Sequence, residues 1–273
     1  RPAMESYQFI PSGSEEILTA YHAAVDGSPP VRCAVLVAPL HEEKKAAHRP
    51  LVDLARALAN RGCACLRFDP RGTGDSPGVA DDLCFSTLRQ DLTVAIDQAR
   101  TLSGLEKVSL LGVRLGADLV ALEGLAGTEV DHTLLCVPLI SGERYLREVR
   151  IRGRIRGAMT TAEGGEEASG RSAGLDYGGH YVSPELIADL EAHDLMVDES
   201  PLAARVTCID IRGRDSMTAP LSALVARLQS RGASVDARVV LDEPFWNALG
   251  PIVPRAFIQA VVEILTGRED EAR

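Results

Sequence analysis

The chemistry in this sequence gathers around one arginine. In Leu110-Leu111-Gly112-Val113-Arg114-Leu115-Gly116-Ala117 an apolar run meets a Gly-x-x-x-Gly turn, and a helical pattern starts behind it. Glycines at that spacing let a helix begin close against the preceding strand and push the middle residue up at the strand's carboxyl end. The middle residue is Arg114. A guanidinium stays protonated in proteins, so it is neither nucleophile nor general base. It does hold a carboxylate or phosphate well, with two parallel N–H donors. The helix start adds unsatisfied N–H groups and a dipole that favour the same anion. Two readings stand side by side. An internal carboxylate holds Arg114, with Asp215, Glu42 or Glu43 as candidates, or Arg114 binds the anionic group of a ligand. Both hold if the internal partner yields to the ligand.

Proton transfer needs a different group. Leu40-His41-Glu42-Glu43-Lys44-Lys45 follows the apolar run Cys33 to Val37 and forms a polar loop above the arginine turn. His41 and Glu43 are the candidate acid–base residues, provided burial tunes them toward neutral pH. Asp215, in Gly213-Arg214-Asp215 after a later apolar run, completes the candidate catalytic set. Leu40, Glu42, Arg114, Leu115 and Trp246 are the candidate substrate-binding residues. Trp246, the sole tryptophan, is either a core residue or a stacking platform. No metal is expected. Cys63-x-Cys65 has the spacing of one strand face and not of a zinc knuckle, and His180 and His193 lack a Cys or carboxylate at ligand spacing. No cofactor is expected either.

The elements that must position these groups follow from periodicity. The continuous apolar run Cys33–Val37 and the short, mostly apolar segments Cys63–Phe68, Val108–Leu111, His132–Val137, Val206–Ile211 and Ala237–Leu241 read as buried strands. Helical spacing fills His48–Asn60, Phe85–Leu102, Leu115–Leu125 and about 218–231 and 252–266. Strands alternating with helices imply right-handed crossovers and a mostly parallel sheet flanked by helices, an α/β fold. Tyr7–Ile10 and Ile17–His22 read as a hairpin at its edge. The alternation stops between Ser141 and Ala203, where Pro184–His193 reads as one short helix capped by Ser183 and 164–179 is rich in Gly, Ser and acids. A break that long reads as a cap. The expected division is a core of 4–142 and 204–267 with a cap or lid inserted at 143–203. Arg147, Arg150 and Arg154 share a helix face in it, a basic strip that pairs with Glu143 and Glu148 or draws in an anionic substrate. Asp69 and Asp75 are expected to hold turns, with Asp75 accepting backbone N–H groups.

Composition excludes several classes. The 273 residues carry 29 Lys+Arg against 39 Asp+Glu, a net charge of −10. That is the wrong sign for a nucleic-acid binder. No apolar run approaches the ~18 residues of a spanning helix, and no charged-then-apolar segment opens the chain, so neither a membrane span nor secretion is expected. Five of the six cysteines fall in the apolar strand runs, as core thiols do. The expected compartment is reducing, the cytoplasm. The expected partner is a small anionic molecule; the oligomeric state is open.

The arginine turn, taken with Phe68-Asp69-Pro70-Arg71-Gly72-Thr73-Gly74-Asp75-Ser76 after the preceding strand, resembles the α/β-hydrolase superfamily from Tyr7 to Leu265. The resemblance implies that fold and a pocket above the strand ends. It also shows two departures. The superfamily's elbow is Gly-x-Ser-x-Gly and its order is nucleophile, acid, His. Here Arg114 stands at the serine position and the last histidine is His193; after the final strand the chain reads Leu241-Asp242-Glu243-Pro244-Phe245-Trp246-Asn247. A serine triad is excluded on residue chemistry. A narrower resemblance fits both departures: the 40–45 loop, the arginine elbow and Glu243–Trp246 look like the exosortase A system-associated hydrolase 2 group. Those are bacterial hydrolase-fold proteins associated with exopolysaccharide gene clusters. Two functions are therefore expected in competition: a non-serine enzyme acting on a small anionic or acyl-bearing molecule, and a pseudo-hydrolase that keeps the pocket and binds a ligand or partner.

Overall fold

A computed structural model describes residues 4–25, 29–123, 130–161, 174–177, 180–199, 205–248 and 250–267. The chain opens with β1 (Glu5–Ser12) and β2 (Glu15–His22). It then alternates through β3 (Arg32–Val37), α1 (His41–Ala59), β4 (Cys63–Asp69), α2 (Phe85–Ser103), β5 (Val108–Val113), α3 (Leu115–Glu123) and β6 (Val130–Cys136). Next come α4 (Gly142–Thr161), β7 (Leu175–Tyr177), β8 (His180–Val182) and α5 (Pro184–Ala192). The last elements are β9 (Arg205–Arg212), α6 (Ala219–Ser230), β10 (Ser234–Leu241) and α7 (Arg255–Thr266).

Eight strands form one sheet in the order β1-β2-β4-β3-β5-β6-β9-β10. Only the β1–β2 and β2–β4 pairs are antiparallel; the rest of the sheet is parallel. The central strands read as unbroken apolar runs because both faces are covered. All six residues of β5 are buried. Leu88, Leu92 and Ile96 of α2 pack on Val35 and Leu110 from one side. Leu51, Leu54 and Leu58 of α1, with Phe257, Val261 and Leu265 of α7, pack on Leu36 and Leu111 from the other. Register aligns Val37 with Gly112, Val113 with Cys136 and Cys136 with Ile209. The carboxyl ends of β3, β5, β6 and β9 therefore lie side by side.

Three expectations are corrected. The first helix begins at His41, seven residues before the expected start, and carries Pro50 in its interior. A proline signals a helix's first turn, but here the ring only forfeits one interior hydrogen bond while Leu51, Leu54 and Leu58 hold the helix to the sheet. Glu42 and Glu43 consequently stand on the first helical turn and not on a loop. The turn after β4 also reverses the expected roles: Asp69 accepts the Asp75 N–H at 3.0 Å, and the Asp75 side chain is exposed. Finally, the stretch between β6 and β9 is more regular than expected, with the long helix α4 and the β7–β8 pair. Most of the Gly-rich part of 164–179 lies outside the described residues. Ser183 does cap α5, its hydroxyl accepting the Leu186 N–H at 3.0 Å. All six cysteines are free thiols, and five are buried. No described helix is long and apolar enough to cross a membrane.

Candidate functional site

The arginine turn is built by its glycines. A Cβ on Gly112 would stand 2.1 Å from the Gly116 carbonyl oxygen, and one on Gly116 would stand 2.3 Å from that of Val37. Neither position admits a side chain, so α3 starts hard against β5 and β3. Arg114, between them, takes φ 56°, a left-handed conformation that a non-glycine residue adopts only under constraint. Its N–H donates to the Cys136 carbonyl at 3.0 Å, and its own carbonyl accepts from Ala117. Leu115, fully buried, opens α3, where a helix's first N–H groups have no internal acceptor.

The guanidinium goes to Glu43. Arg114 Nε donates to both Glu43 carboxylate oxygens, at 3.2 and 3.3 Å, and Nη2 donates to one of them at 3.2 Å. The Glu43 side chain is 1% exposed and that of Arg114 12%. Burial pushes the Glu43 carboxyl above its ordinary value while the guanidinium pulls it down. Burial also opposes the Arg114 charge, but Glu43 outweighs it and Arg114 stays protonated. Glu148 of α4 lies 4.0 Å from Nη2. Two aromatic rings flank the cation: Trp246 at 5.7 Å and Tyr145 at 6.0 Å from the guanidinium carbon. Trp246 sits in a short turn of 3-10 helix, Phe245–Asn247, edge-on to Phe245. It is thus both core and a wall of the arginine's surroundings.

The other sequence candidates divide. Leu40 is buried immediately before α1. His41, at φ 56°, is buried at the start of α1 with its ring 6.4 Å from that of His180. Burial, with His180 adding, lowers its pKa to about 4, so the imidazole is neutral near pH 7. Glu42 is half-buried and forms no ion pair with a described residue. Asp215 is not brought to the site: it is exposed on the turn after β9 and does not line the cavity over Arg114. The basic strip is paired where it is described, with Arg147 on Glu143 at 3.2 Å and Arg150 on Glu191 at 3.1 Å. Arg154 has no described side chain. Among the described residues no group of His, Cys, Asp and Glu could hold a metal ion.

A cavity of about 170 Å³ lies over Arg114, walled by Val137–Ile140, by Arg144, Tyr145 and Glu148 of α4, and by Asp210, Thr218 and Leu221. Sequence reasoning missed Asp210 and the neighbours from α4. Asp210 carried a visible signal, an acid inside the apolar run of β9. Tyr145 and Glu148 carried none, because only the fold lays α4 across the strand ends. A second missed cluster fixes that helix. The Asp118 carboxylate, fully buried on α3, accepts the N–H groups of Leu139 (2.6 Å) and Ile140 (3.0 Å) and pairs with His193 Nε2 at 2.9 Å. His193 in turn accepts the Gly142 N–H at the start of α4.

No family model matches the chain, and no curated protein matches it in sequence. Solved structures do. Est1E from Butyrivibrio proteoclasticus with ferulic acid bound is similar with a TM-score of 0.64 at 15% identity, over 95% of this chain and 96% of that one. An esterase of Pyrococcus furiosus follows at 0.61 and 14%, over 97% and 88%. A serine hydrolase without a lid from Xanthomonas campestris gives 0.55 and 15%, over 98% and 92%. At such identities the likeness concerns the fold alone. The arginine turn at the end of β5, in a sheet shared with these esterases and hydrolases from end to end, gives the chain the α/β-hydrolase fold.

Proposed function

We propose that this chain is a non-serine enzyme that binds a small anionic or acyl-bearing molecule in the cavity over Arg114. The observation that carries the reading is the division of the guanidinium. Nε and Nη2 are committed to Glu43, while Nη1 has no hydrogen-bond partner among the described residues and Arg114 lines the cavity. An incoming carboxylate or phosphate would meet one open donor at once and a bidentate pair after Glu43 gives way. Glu43 is suited to that exchange. Its raised pKa lets it take a proton as it loses the cation, and a carboxyl that titrates nearer neutrality is a general acid or base. His41, buried and neutral, is the second candidate for moving that proton. Leu40, Glu42, Leu115 and Trp246 are assigned to the substrate side as the shell behind Arg114, which alone of the candidates lines the cavity. Asp215 keeps no role, since it is exposed away from the cavity.

We assign the core to 4–142 and 204–267 and the cap to 143–203, with α4 as the part of the cap that roofs the cavity. The resemblance of the arginine elbow and of Glu243–Trp246 to the exosortase A system-associated hydrolase 2 group supports the non-serine assignment and links the protein to exopolysaccharide systems. The elbow's own residue is chemically inert as a nucleophile, so no acyl-enzyme forms on it.

The second reading is a pseudo-hydrolase, and the caging of the guanidinium favours it: a cation held by Glu43 and flanked by Trp246 and Tyr145 is also what a purely structural ion pair looks like. Turnover separates the two. A compound that binds wild type is incubated with wild type and with Glu43→Gln, and products are followed. The enzyme reading expects conversion by wild type and a loss of about 100-fold or more in the variant, the range of a general acid–base group. Binding without conversion by either protein makes it a pseudo-hydrolase.

A further inference from the structure

Not every charge on the walls of the cavity over Arg114 is paired. Arg114 is answered by Glu43, and Arg144 by Glu148 at 3.8 Å. Asp210 is answered by nothing charged among the described residues. Its side chain belongs to a residue 2% exposed near the carboxyl end of β9, and one oxygen accepts the Thr218 N–H at 2.7 Å ahead of α6. The other oxygen has no hydrogen-bond partner among the described residues, and Asp210 lines the cavity. That oxygen is open to the cavity, where a cation or a further donor can complete the carboxylate.

Asp210 and Arg114 face one space from two strands. They form no ion pair with each other, yet both act on Cys136 between them: burial pushes that thiol up, with Asp210 adding to the shift and Arg114 opposing it. Opposite charges that share a small cavity without meeting define a ligand with two poles. Building on the anion reading of Arg114, we infer that the ligand is zwitterionic: a small amino acid-like molecule whose carboxylate or phosphate goes to Arg114 and whose ammonium goes to Asp210. The ammonium supplies the positive charge and the donors that the second Asp210 oxygen lacks. Hydrophobic walls from Val137, Leu139, Ile140 and Leu221 leave room for a short aliphatic spacer. A plain fatty acid would satisfy one pole and bury the other unpaired.

The test uses chain-matched probes: β-alanine, γ-aminobutyrate and ε-aminocaproate against propionate, butyrate and hexanoate, titrated calorimetrically into wild type and Asp210→Asn. Asparagine keeps an acceptor for the Thr218 N–H, so the start of α6 is retained. The inference expects one amino acid of the series to bind wild type roughly 10- to 100-fold more tightly than its deaminated counterpart, the worth of a charged hydrogen bond. In Asp210→Asn that gap closes, because the amino acid falls to the level of the simple acid. If simple acids bind wild type as well as the amino acids do, the zwitterion inference is overturned while the anion reading of Arg114 stands. If no member of either series binds, the zwitterion inference is overturned, and the anion reading then stands or falls on phosphates and acyl thioesters. The wild-type comparison decides between these outcomes even if the variant is unstable.

Discussion

Glu43 and Arg114 meet across 71 residues of sequence through three N–H···O contacts of 3.2 to 3.3 Å, with the carboxylate almost wholly out of solvent. The contact fixes what the elbow of this fold has become. The turn between β5 and α3 holds a protonated guanidinium, and the first turn of α1 brings a carboxylate to it.

Breaking that pair one side at a time strands a buried charge. Arg114→Met leaves Glu43 without its cation and is expected to destabilise the fold by about 3–5 kcal/mol. Adding Glu43→Gln to the same protein restores most of the loss, since both charges are then gone. Urea melts of the two singles and the double give the coupling directly; additive losses would mean the pair does not interact in solution.

A serine placed at the elbow will not rebuild a hydrolase. Arg114→Ser supplies the hydroxyl, but no histidine follows β10, and His193 is already committed to Asp118. The expected result is p-nitrophenyl acetate hydrolysis at the uncatalysed rate and no labelling by a fluorophosphonate in either protein. Labelling of wild type would show a reactive serine where none is assigned.

Much of this was legible in the sequence, and its gaps have physical causes. The parallel strands could be read because strands covered on both faces are continuously apolar, as β3 and β5 are. The elbow could be read because Gly112 and Gly116 have no alternative at their spacing. Glu43 was among the candidates, but the apolar spacing of Leu51, Leu54, Ala55 and Leu58 marks the helix only from His48 and leaves Glu43 on a loop; only α1 beginning at His41 aims it inward. Asp215 was among the candidates and is exposed, since a turn's sequence does not state which way its side chains face. Tyr145 and Glu148 reach Arg114 only through the path of α4 over the strand ends, which local periodicity does not encode.

The path of α4 depends on Asp118. Its carboxylate holds two backbone N–H groups after β6 and the His193 ring beyond α5. Asp118→Ala removes all three bonds from a fully buried position and is expected to cost about 3 kcal/mol or more. Limited proteolysis should then cut the 142–199 region faster in the variant. An unchanged digestion rate would detach Asp118 from the anchoring of that segment.

Acid should weaken the fold through its histidines. Burial lowers His22, His41 and His132 from 6.5 to about 4. In the unfolded chain they titrate near 6.5, so below that pH the unfolded state binds more protons and stability falls toward pH 4. Glu43 acts with the opposite sign, its raised pKa favouring the folded state as it protonates, but one group offsets only part of three. Melting temperature is expected to drop across this window, and His132→Gln, which removes one titrating group, should flatten the slope. An identical slope in the variant would show that His132 is not neutral in the fold.

Trp246 gives an optical handle on the site, since it is the sole tryptophan and the Arg114 guanidinium lies 5.7 Å from its ring. Removing the cation in Arg114→Met is expected to change its emission, and a ligand that engages Arg114 should change it saturably. Emission indifferent to Arg114→Met would place the indole outside the cation's reach.

The central claim is that Arg114 receives a ligand's anionic group, and thermal melting against a panel of carboxylates, phosphates and acyl thioesters tests it most directly. The proteins compared are wild type and the Glu43→Gln/Arg114→Met double variant, in which neither charge is stranded. A ligand at about a hundred times its dissociation constant stabilises by roughly 2.7 kcal/mol, a shift of several degrees for a chain of this length. At least one panel compound is expected to raise the wild-type midpoint and to leave that of the folded double variant unmoved. Equal shifts in both proteins, or none in wild type across the panel, would contradict it and leave Arg114 as a structural ion pair with Glu43.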